Sequence, residues 1–507
     1  PIYGAGRTDS GVHAVKMYAH FDVTELISTD KLLHDLNSFL PKDIEDTLAE
    51  KLVNAYVDRL NKNPQLHDKI EFDVVQTAFD FSIDDNFEER YPNLLTKDEL
   101  IDYKNALRQI TVDSIKLDEK GSLKSALNDI EFLKELQQKK FIHYKKDSFS
   151  IADQINNLVN ECIKYGTLPF SILARHGFIA ESLLRSSLKK EVITEERLKE
   201  FRRSIVTVAG EMSHDFNLVL AKKLTQEEYL EKYGHLRPGS YDILSPNYAN
   251  RKDLFDGQTI REPDLIVPFK LTNQENDGIN RLLNENELYT VNAEELFVYA
   301  EEAIKGREYA KFIFTKHLSR ILELTAKWGE LKGFTREQVS MLTINEILEI
   351  LVSPLTKDVK LYFENKINIA EENFKIASSF KLSYLIRSTR DVHIVPMQRS
   401  SPNFIGNQRI EGEVIELTPY LEDIPNLKGK IICIEGADPG YDWIFTRNIA
   451  GLITKYGGAN SHMAIRCAEY DLPAAIGCGE QPFERVISSK KCLLDCQGKR
   501  LEPIEFN

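Results

Sequence analysis

A chain of 507 residues has room for three or four domains at about 100–200 residues each, and 42% hydrophobic with 28% charged residues is an ordinary globular composition. Sixty-five Lys and Arg against 79 Asp and Glu leave a net charge of −14, which argues against a chain built as a whole to bind nucleic acid and leaves room for a local basic patch or a small-molecule substrate. No run approaches the ~18 apolar residues of a membrane span, no signal peptide opens the chain, and six Cys without a CxxC make no disulfide framework, so a cytoplasmic protein is expected, with no membrane partner.

Three textures follow one another. Residues 1–45 form a short α/β segment with Gly4, Gly6 and Gly11 near its start and Leu40-Pro41-Lys42 near its end. The alternation in Ala19-His20-Phe21-Asp22-Val23 predicts a strand followed or preceded by a turn. The start at Pro1 predicts a true N-terminus further upstream. Residues 46–387 are predicted to be mainly α-helical, because Leu, Lys and Glu are dense, Gly is sparse, and apolar residues recur at spacings of three and four. Phe178, Ile179, Leu183, Leu184 and Leu188 make one such stripe; Tyr309, Phe312, Ile313, Ile321 and Leu324 make another. Stripes of this kind are core-facing sides of helices. Residues 388–507 change to a compact α/β pattern, with strands predicted over 413–417, 430–434, 450–454, 472–476 and 491–495 and a helix over about 461–470. The fold class expected is therefore multidomain: a large helical central region followed by a C-terminal α/β domain.

The most informative stretch is Thr454-Lys-Tyr-Gly457-Gly458-Ala-Asn460-Ser461-His462-Met-Ala-Ile465. An apolar strand ends in a Gly pair, Ser461 is a good N-cap, and His462 falls in the first helical turn beside unpaired backbone N–H groups. The positive end of the helix dipole disfavours imidazolium there, predicting an exposed, neutral and nucleophilic ring, and it favours an arriving phosphoryl group. A surface histidine on a capped helix is the plain alternative. The turn over Glu435–Trp443 carries acids and a predicted exposed Trp443, suited either to docking or to packing on itself.

Residues 403–507 resemble the phosphohistidine swivelling domain of the phosphoenolpyruvate-utilising enzymes, which include phosphoenolpyruvate synthase, pyruvate phosphate dikinase and rifampicin phosphotransferase. The matching residues are Gly451-Leu-Ile-Thr454, Gly457-Gly458-Ala-Asn-Ser461-His462-Met-Ala464-Ile465 and Leu472-Pro473-Ala-Ala-Ile476-Gly477. Met463 replaces the usual small residue after the histidine, and Ala468 stands where an Arg is common, with Arg466 nearby as a substitute. The resemblance implies that His462 is the catalytic phosphocarrier, with Thr454, Gly457, Gly458, Ser461 and Arg466 around the phosphoryl group.

In the helical middle, Gly234-His235-Leu236-Arg237-Pro238-Gly239-Ser240-Tyr241-Asp242 concentrates polar groups at a Pro-Gly break. Arg237 offers a planar fork of donors and His235 a proton shuttle; an interhelical loop is the alternative. A comparable loop in the same family lies in the domain before the swivelling one, so His235 and Arg237 are candidates for binding phosphate or acceptor, with Arg175, His176 and Arg185 as weaker ones. The chain runs about 45 residues past His462, too few for a following barrel, so the order is closer to rifampicin phosphotransferase. The family's ATP-grasp domain is expected to be missing, and with it the ATP and Mg²⁺ site of a full-length relative.

At the start, Gly4-Ala-Gly6-Arg7-Thr8-Asp9-Ser10-Gly11-Val12-His13-Ala14 is no dinucleotide fingerprint, because Asp9 holds the third Gly position. It resembles the catalytic loop of tRNA pseudouridine synthases, continuing through Tyr18-Ala-His20-Phe21-Asp22 and Leu36-Asn37-Ser-Phe-Leu40-Pro41-Lys42-Asp43-Ile44. The resemblance makes Asp9 the nucleophile toward uridine and Arg7 its basic neighbour. About 44 residues are too few to bury a core or hold a tRNA arm, so a joined fragment without that activity is expected.

The combined expectation is a truncated kinase- or dikinase-like phosphotransferase. It relays a phosphoryl group through His462 to a small acceptor such as pyruvate or a sugar, with an ATP-grasp domain supplied in trans and no nucleic-acid partner. The alternatives are a pseudouridine synthase using Asp9 and a non-catalytic remnant.

Overall fold

The computed structural model describes residues 44–64, 66, 70–138, 147–251, 254–255, 267–352, 358–378, 402–420, 424–458 and 461–506. Among the described residues, the regular elements from Asp46 to Ser378 are all helical, and from Asn403 onward a sheet takes over. The strand-turn-strand expected over 19–23 lies outside the described residues.

Local chemistry starts the helices. Capping boxes open them at Thr96 with Glu99, Thr225 with Glu228, Thr272 with Glu275, Asn292 with Glu295 and Thr335 with Gln338. Each pair satisfies two of the N–H groups that a helix start leaves without a partner. The longest helix, Ala293–Lys332, has 40 residues and therefore runs about 60 Å. Helices Ser122–Gln138, Ser148–Cys162 and Leu168–Lys189 pack along it. Both sequence stripes lie in this bundle: Ile179, Leu183 and Leu184 are buried on Leu168–Lys189, and Ile313 and Ile321 on the long helix.

The C-terminal sheet has strands β1 (Asn403–Ile405), β2 (Arg409–Leu417), β3 (Ile431–Gly436), β4 (Gly451–Tyr456), β5 (Ala474–Ile476), β6 (Ser489–Asp495) and β7 (Arg500–Phe506). Their order is β1-β5-β4-β3-β2-β6-β7. The middle four are mutually parallel, and β1, β6 and β7 join antiparallel. All five predicted strands are present; β1, β7 and the helix Glu480–Ile487 were not anticipated.

Parallel strands are covered on both faces, which explains their unbroken apolar runs such as Ile431-Ile-Cys-Ile434. On one face Ile431, Cys433, Ile453 and Ala475 meet Phe483 and Val486 of helix Glu480–Ile487. On the other, Ile432, Ile434, Leu452 and Ile476 share a core with Met212, Phe216, Tyr229 and Tyr233. Those last four belong to helices Val208–Leu220 and Gln226–Tyr233 of the helical region, so the two regions are docked through a common apolar layer.

Candidate functional site

The Gly pair follows β4, and Gly457 takes φ of +137°, a conformation that favours glycine. Thr454 is fully buried; its hydroxyl donates to the Tyr456 carbonyl at 2.8 Å and accepts from the Gly477 N–H at 2.9 Å. It therefore pins the turn to the strand after it, and in this arrangement it faces the protein rather than a ligand. The Gly458 carbonyl accepts from the Ser461 N–H at 3.0 Å. Ser461 is extended (φ −66°, ψ 154°) and caps the helix by accepting from the Ala464 N–H at 3.3 Å. His462 is the first residue of helix His462–Glu469.

The ring is not exposed as the sequence suggested: 18% of its side chain is accessible. Its Nε2 faces both oxygens of Asp442 at 2.7 and 2.8 Å, and Asp442 is itself buried. Burial disfavours the charged ring, but the Asp442 carboxylate outweighs it through charge and hydrogen bonding, with a contribution from Glu308, so the pKa rises above the ordinary imidazole value. The neutral ring expected from the helix dipole is thus corrected: a carboxylate in direct contact outweighs a dipole of about half a charge. The pair's stabilisation is complete below the unfolded imidazole pKa near 6.5 and is lost as pH rises through the higher folded value. In Asp442→Asn only the burial penalty and the repulsion from Arg466 oppose Glu308. The NMR titration midpoint of His462 should then drop from above the free-imidazole value to below it; an unmoved midpoint would separate the two groups.

Asp442 belongs to the 3₁₀ segment Pro439–Arg447, which folds back over helix His462–Glu469. Trp443 in this segment is buried, against the exposed aromatic expected, because it joins the shared core and lies under Arg251. The same segment meets the helical region's loop over 234–248. Tyr248 donates to the Gly440 carbonyl at 2.8 Å, Ser240 reaches Asp438 at 3.4 Å, and Tyr420 donates to Asp242 at 2.6 Å. Gly440 lies so close that a Cβ would penetrate the Arg237 carbonyl.

Arg237 is 1% exposed and both its Nη groups are engaged internally, Nη1 on the carbonyls of Asp242 (3.3 Å) and Ser245 (3.1 Å) and Nη2 on Ser319 Oγ (2.8 Å) and Glu323 (3.0 Å), leaving its buried Nε without a partner among the described residues. His235 donates from Nε2 to the Phe312 carbonyl at 3.1 Å, and burial pushes its pKa down to about 3, so it is neutral. Both organise the docked loop in this arrangement, and no contact joins either to His462. Arg466 is buried at the docking face, giving Nη1 to Glu469 (2.6 Å) and Nη2 to Ser213 (2.9 Å), Tyr470 (2.6 Å) and the Ala209 carbonyl (3.4 Å). Glu308, on the long helix, accepts from the Ala209 N–H at 2.9 Å; burial raises its pKa, against the pull of His462 and Arg466. Sequence reasoning placed neither Asp442 nor Glu308 at the site, since neither stands at a motif spacing from His462.

Among the weaker candidates, His176 is buried between Ser122 Oγ and Tyr299 Oη, each at 2.9 Å, and burial pushes its pKa to about 4. Arg175 donates to the Thr77 carbonyl at 3.2 Å and Arg185 to Glu181 at 2.6 Å. Asp9 and Arg7 lie outside the described residues. Among those described, no cluster of three or more His, Cys, Asp or Glu is arranged to hold a metal ion, and no helix is long and apolar enough to cross a membrane.

Residues 426–498 match the family described as the PEP-utilising enzyme, mobile domain. Short matches also link the chain to tRNA pseudouridine synthase A, in accord with the likeness seen at the N-terminus. The enzyme from Nostoc sp. is 60% identical over 43 residues, 8% of this chain and 15% of the relative. That from Levilactobacillus brevis is 46% identical over 55 residues, 11% and 21%. The chain thus spans only about a sixth to a fifth of the length of these curated relatives.

Proposed function

From the premise that residues 426–498 are a mobile domain of the PEP-utilising enzymes, we propose that the chain relays a phosphoryl group through His462 to a small-molecule acceptor. The observation that carries this reading is His462 itself, set at the first turn of a Ser461-capped helix behind a Gly pair, where backbone N–H groups and the helix dipole favour a phosphoryl group. A ring nitrogen attacks phosphorus, an N–P bond forms, and the donor's P–O bond breaks with the electron pair leaving on oxygen. The acceptor's oxygen then attacks phosphorus, the N–P bond breaks with its electron pair returning to the ring nitrogen, and the acceptor's hydroxyl proton is taken up by the ring. Splitting one transfer into two lets donor and acceptor occupy separate places, provided the carrier moves between them. For Nε2 to be the attacking atom, it must first give up its contact with Asp442. ATP and Mg²⁺ are assigned to a donor ATP-grasp domain supplied in trans, as the resemblance implies. Acceptor binding by His235 and Arg237 would require the loop over 234–248 to rearrange. The likeness to tRNA pseudouridine synthase A covers too little of those enzymes to extend their activity to this chain.

The test supplies a donor ATP-grasp domain, Mg²⁺ and β- or γ-labelled ATP to the full chain. Label stable to base and lost in acid is expected on the wild type and on His235→Ala, and none on His462→Ala. No label is expected without the donor domain. Label surviving in His462→Ala would overturn the assignment.

A further inference from the structure

The docked face places the ring beside negative charge from both regions. From its own region, Asp442 meets Nε2 at 2.7 and 2.8 Å. From the helical region, Glu308 on the long helix accepts from the Ala209 N–H at 2.9 Å while Arg466 donates to the Ala209 carbonyl at 3.4 Å, so the two side chains meet at the same residue of the docking face. Glu469 lies beyond Arg466, held by it at 2.6 Å. Arg466 is the cation among these groups, joined by His462 when it is protonated; the hydroxyls of Tyr229 and Tyr248 also feel Asp442. The surroundings give this cluster little water: Asp442 and Arg466 are each 4% exposed, and the backbones of Gly440 and Arg237 are in contact.

We infer that this interface selects the unphosphorylated carrier: Asp442 and Glu308 accommodate the bare ring of His462, and they expel the carrier domain once the ring bears a phosphoryl group. The inference rests on the proposed carrier role. A phosphoryl group adds about two negative charges where a cation had been. Poor screening makes that repulsion far stronger than on an open surface, and the nearby cation Arg466, with its Nε 3.8 Å from Asp442, already shares its charge with Glu469 at 2.6 Å. The docked arrangement is then a waiting state, and charging the histidine is itself the signal to leave. Glu308 makes the response a property of the interface, since Asp442 travels with His462 whereas Glu308 stays behind.

The test uses the full chain and needs no donor domain. Phosphoramidate is the reagent: a ring nitrogen attacks phosphorus, the P–N bond breaks, and ammonia leaves with the proton given up by the ring. Hydrogen exchange is followed in Val208–Leu220 and in residues 234–251. At least tenfold faster exchange is expected in molecules phosphorylated on His462, and none of that acceleration in identically treated His462→Ala. A second arm uses His462→Glu, expected to release, and the neutral His462→Gln, expected to stay docked, each checked for a cooperative melt. Adding Glu308→Gln to His462→Glu should restore protection at least in part. Protection unchanged in both the phosphorylated protein and a folded His462→Glu would overturn the inference. Donor-dependent label on His462 with unchanged protection would remove the latch and leave the carrier role. Release by charge without donor-dependent label would remove the carrier role alone.

Discussion

Alanine at Gly477 should cost the C-terminal sheet on the order of 3 kcal/mol, lowering its unfolding midpoint and abolishing the proposed phosphorylation of His462 along with it. Gly477 takes φ of +68°, where a side chain is strained by about 1–2 kcal/mol before any contact is counted. The added Cβ would also fall well inside the carbonyl oxygen of Gly457. That oxygen cannot easily withdraw, because Thr454 ties the two segments together: its hydroxyl accepts from Gly477 N–H at 2.9 Å and its carbonyl from Cys478 N–H at 2.9 Å. Any movement that relieved the clash would therefore break the turn that presents His462. Gly429 is the control, with φ of +71° and nothing within 4 Å of its Cβ position, so its alanine variant should lose only the backbone-strain share. Urea denaturation of both variants decides the matter; equal losses would show that the contact with Gly457 is immaterial.

Gly440→Ala should undock the two regions while leaving the sheet folded. Gly440 is absent from the positive-φ glycines, so alanine meets no comparable backbone strain, and what the Cβ strikes is the Arg237–Pro238 backbone of the other region. Neither side gives way readily: the Gly440 carbonyl is held by Tyr248 at 2.8 Å and its N–H donates to Asp438 at 2.7 Å. A shift of roughly 100-fold toward the undocked form corresponds to about 2.7 kcal/mol, well within what a backbone clash supplies. Trp443 reports it, since it is buried in the shared layer under Arg251 whereas Trp328 sits in the helical core. In a Trp328→Phe background, emission should shift to the red and acrylamide quenching should rise severalfold. Unchanged quenching would mean that the contact with Arg237 does not control docking.

The legible parts of this chain were those written in neighbouring residues. Ser461 caps a helix because of what stands three positions on, and the apolar runs at the starts of β3 and β4 declare strands buried on both faces. β7 escaped because it is an edge strand, and edges carry Pro503 and charged Glu502 and Glu505, which look like loop. Asp442 escaped because its meeting with His462 depends on the 3₁₀ segment folding back, which no spacing encodes. Glu308 looks like any charge on a long helix until a second region covers it. Arg237 shows the opposite failure. A Pro-Gly loop with Arg, Ser and Asp has the same composition whether the guanidinium waits for a phosphate or holds carbonyls of its own loop, and here it meets Asp242 and Ser245.

The two faces of the C-terminal sheet bear on timing. One is closed by the sheet's own helix, Glu480–Ile487, and the other is completed by Met212, Phe216, Tyr229 and Tyr233 of the helical region. On the proposed carrier role, each excursion of the C-terminal region would wet an oily face that was dry, and each return would dry it again. Apolar cover of this kind would set how long a visit lasts and make departure rates steepen with temperature, while the proposed charging of the histidine would decide when a visit ends. A carrier so made would spend its idle time parked, and its turnover would be governed by how often it lets go.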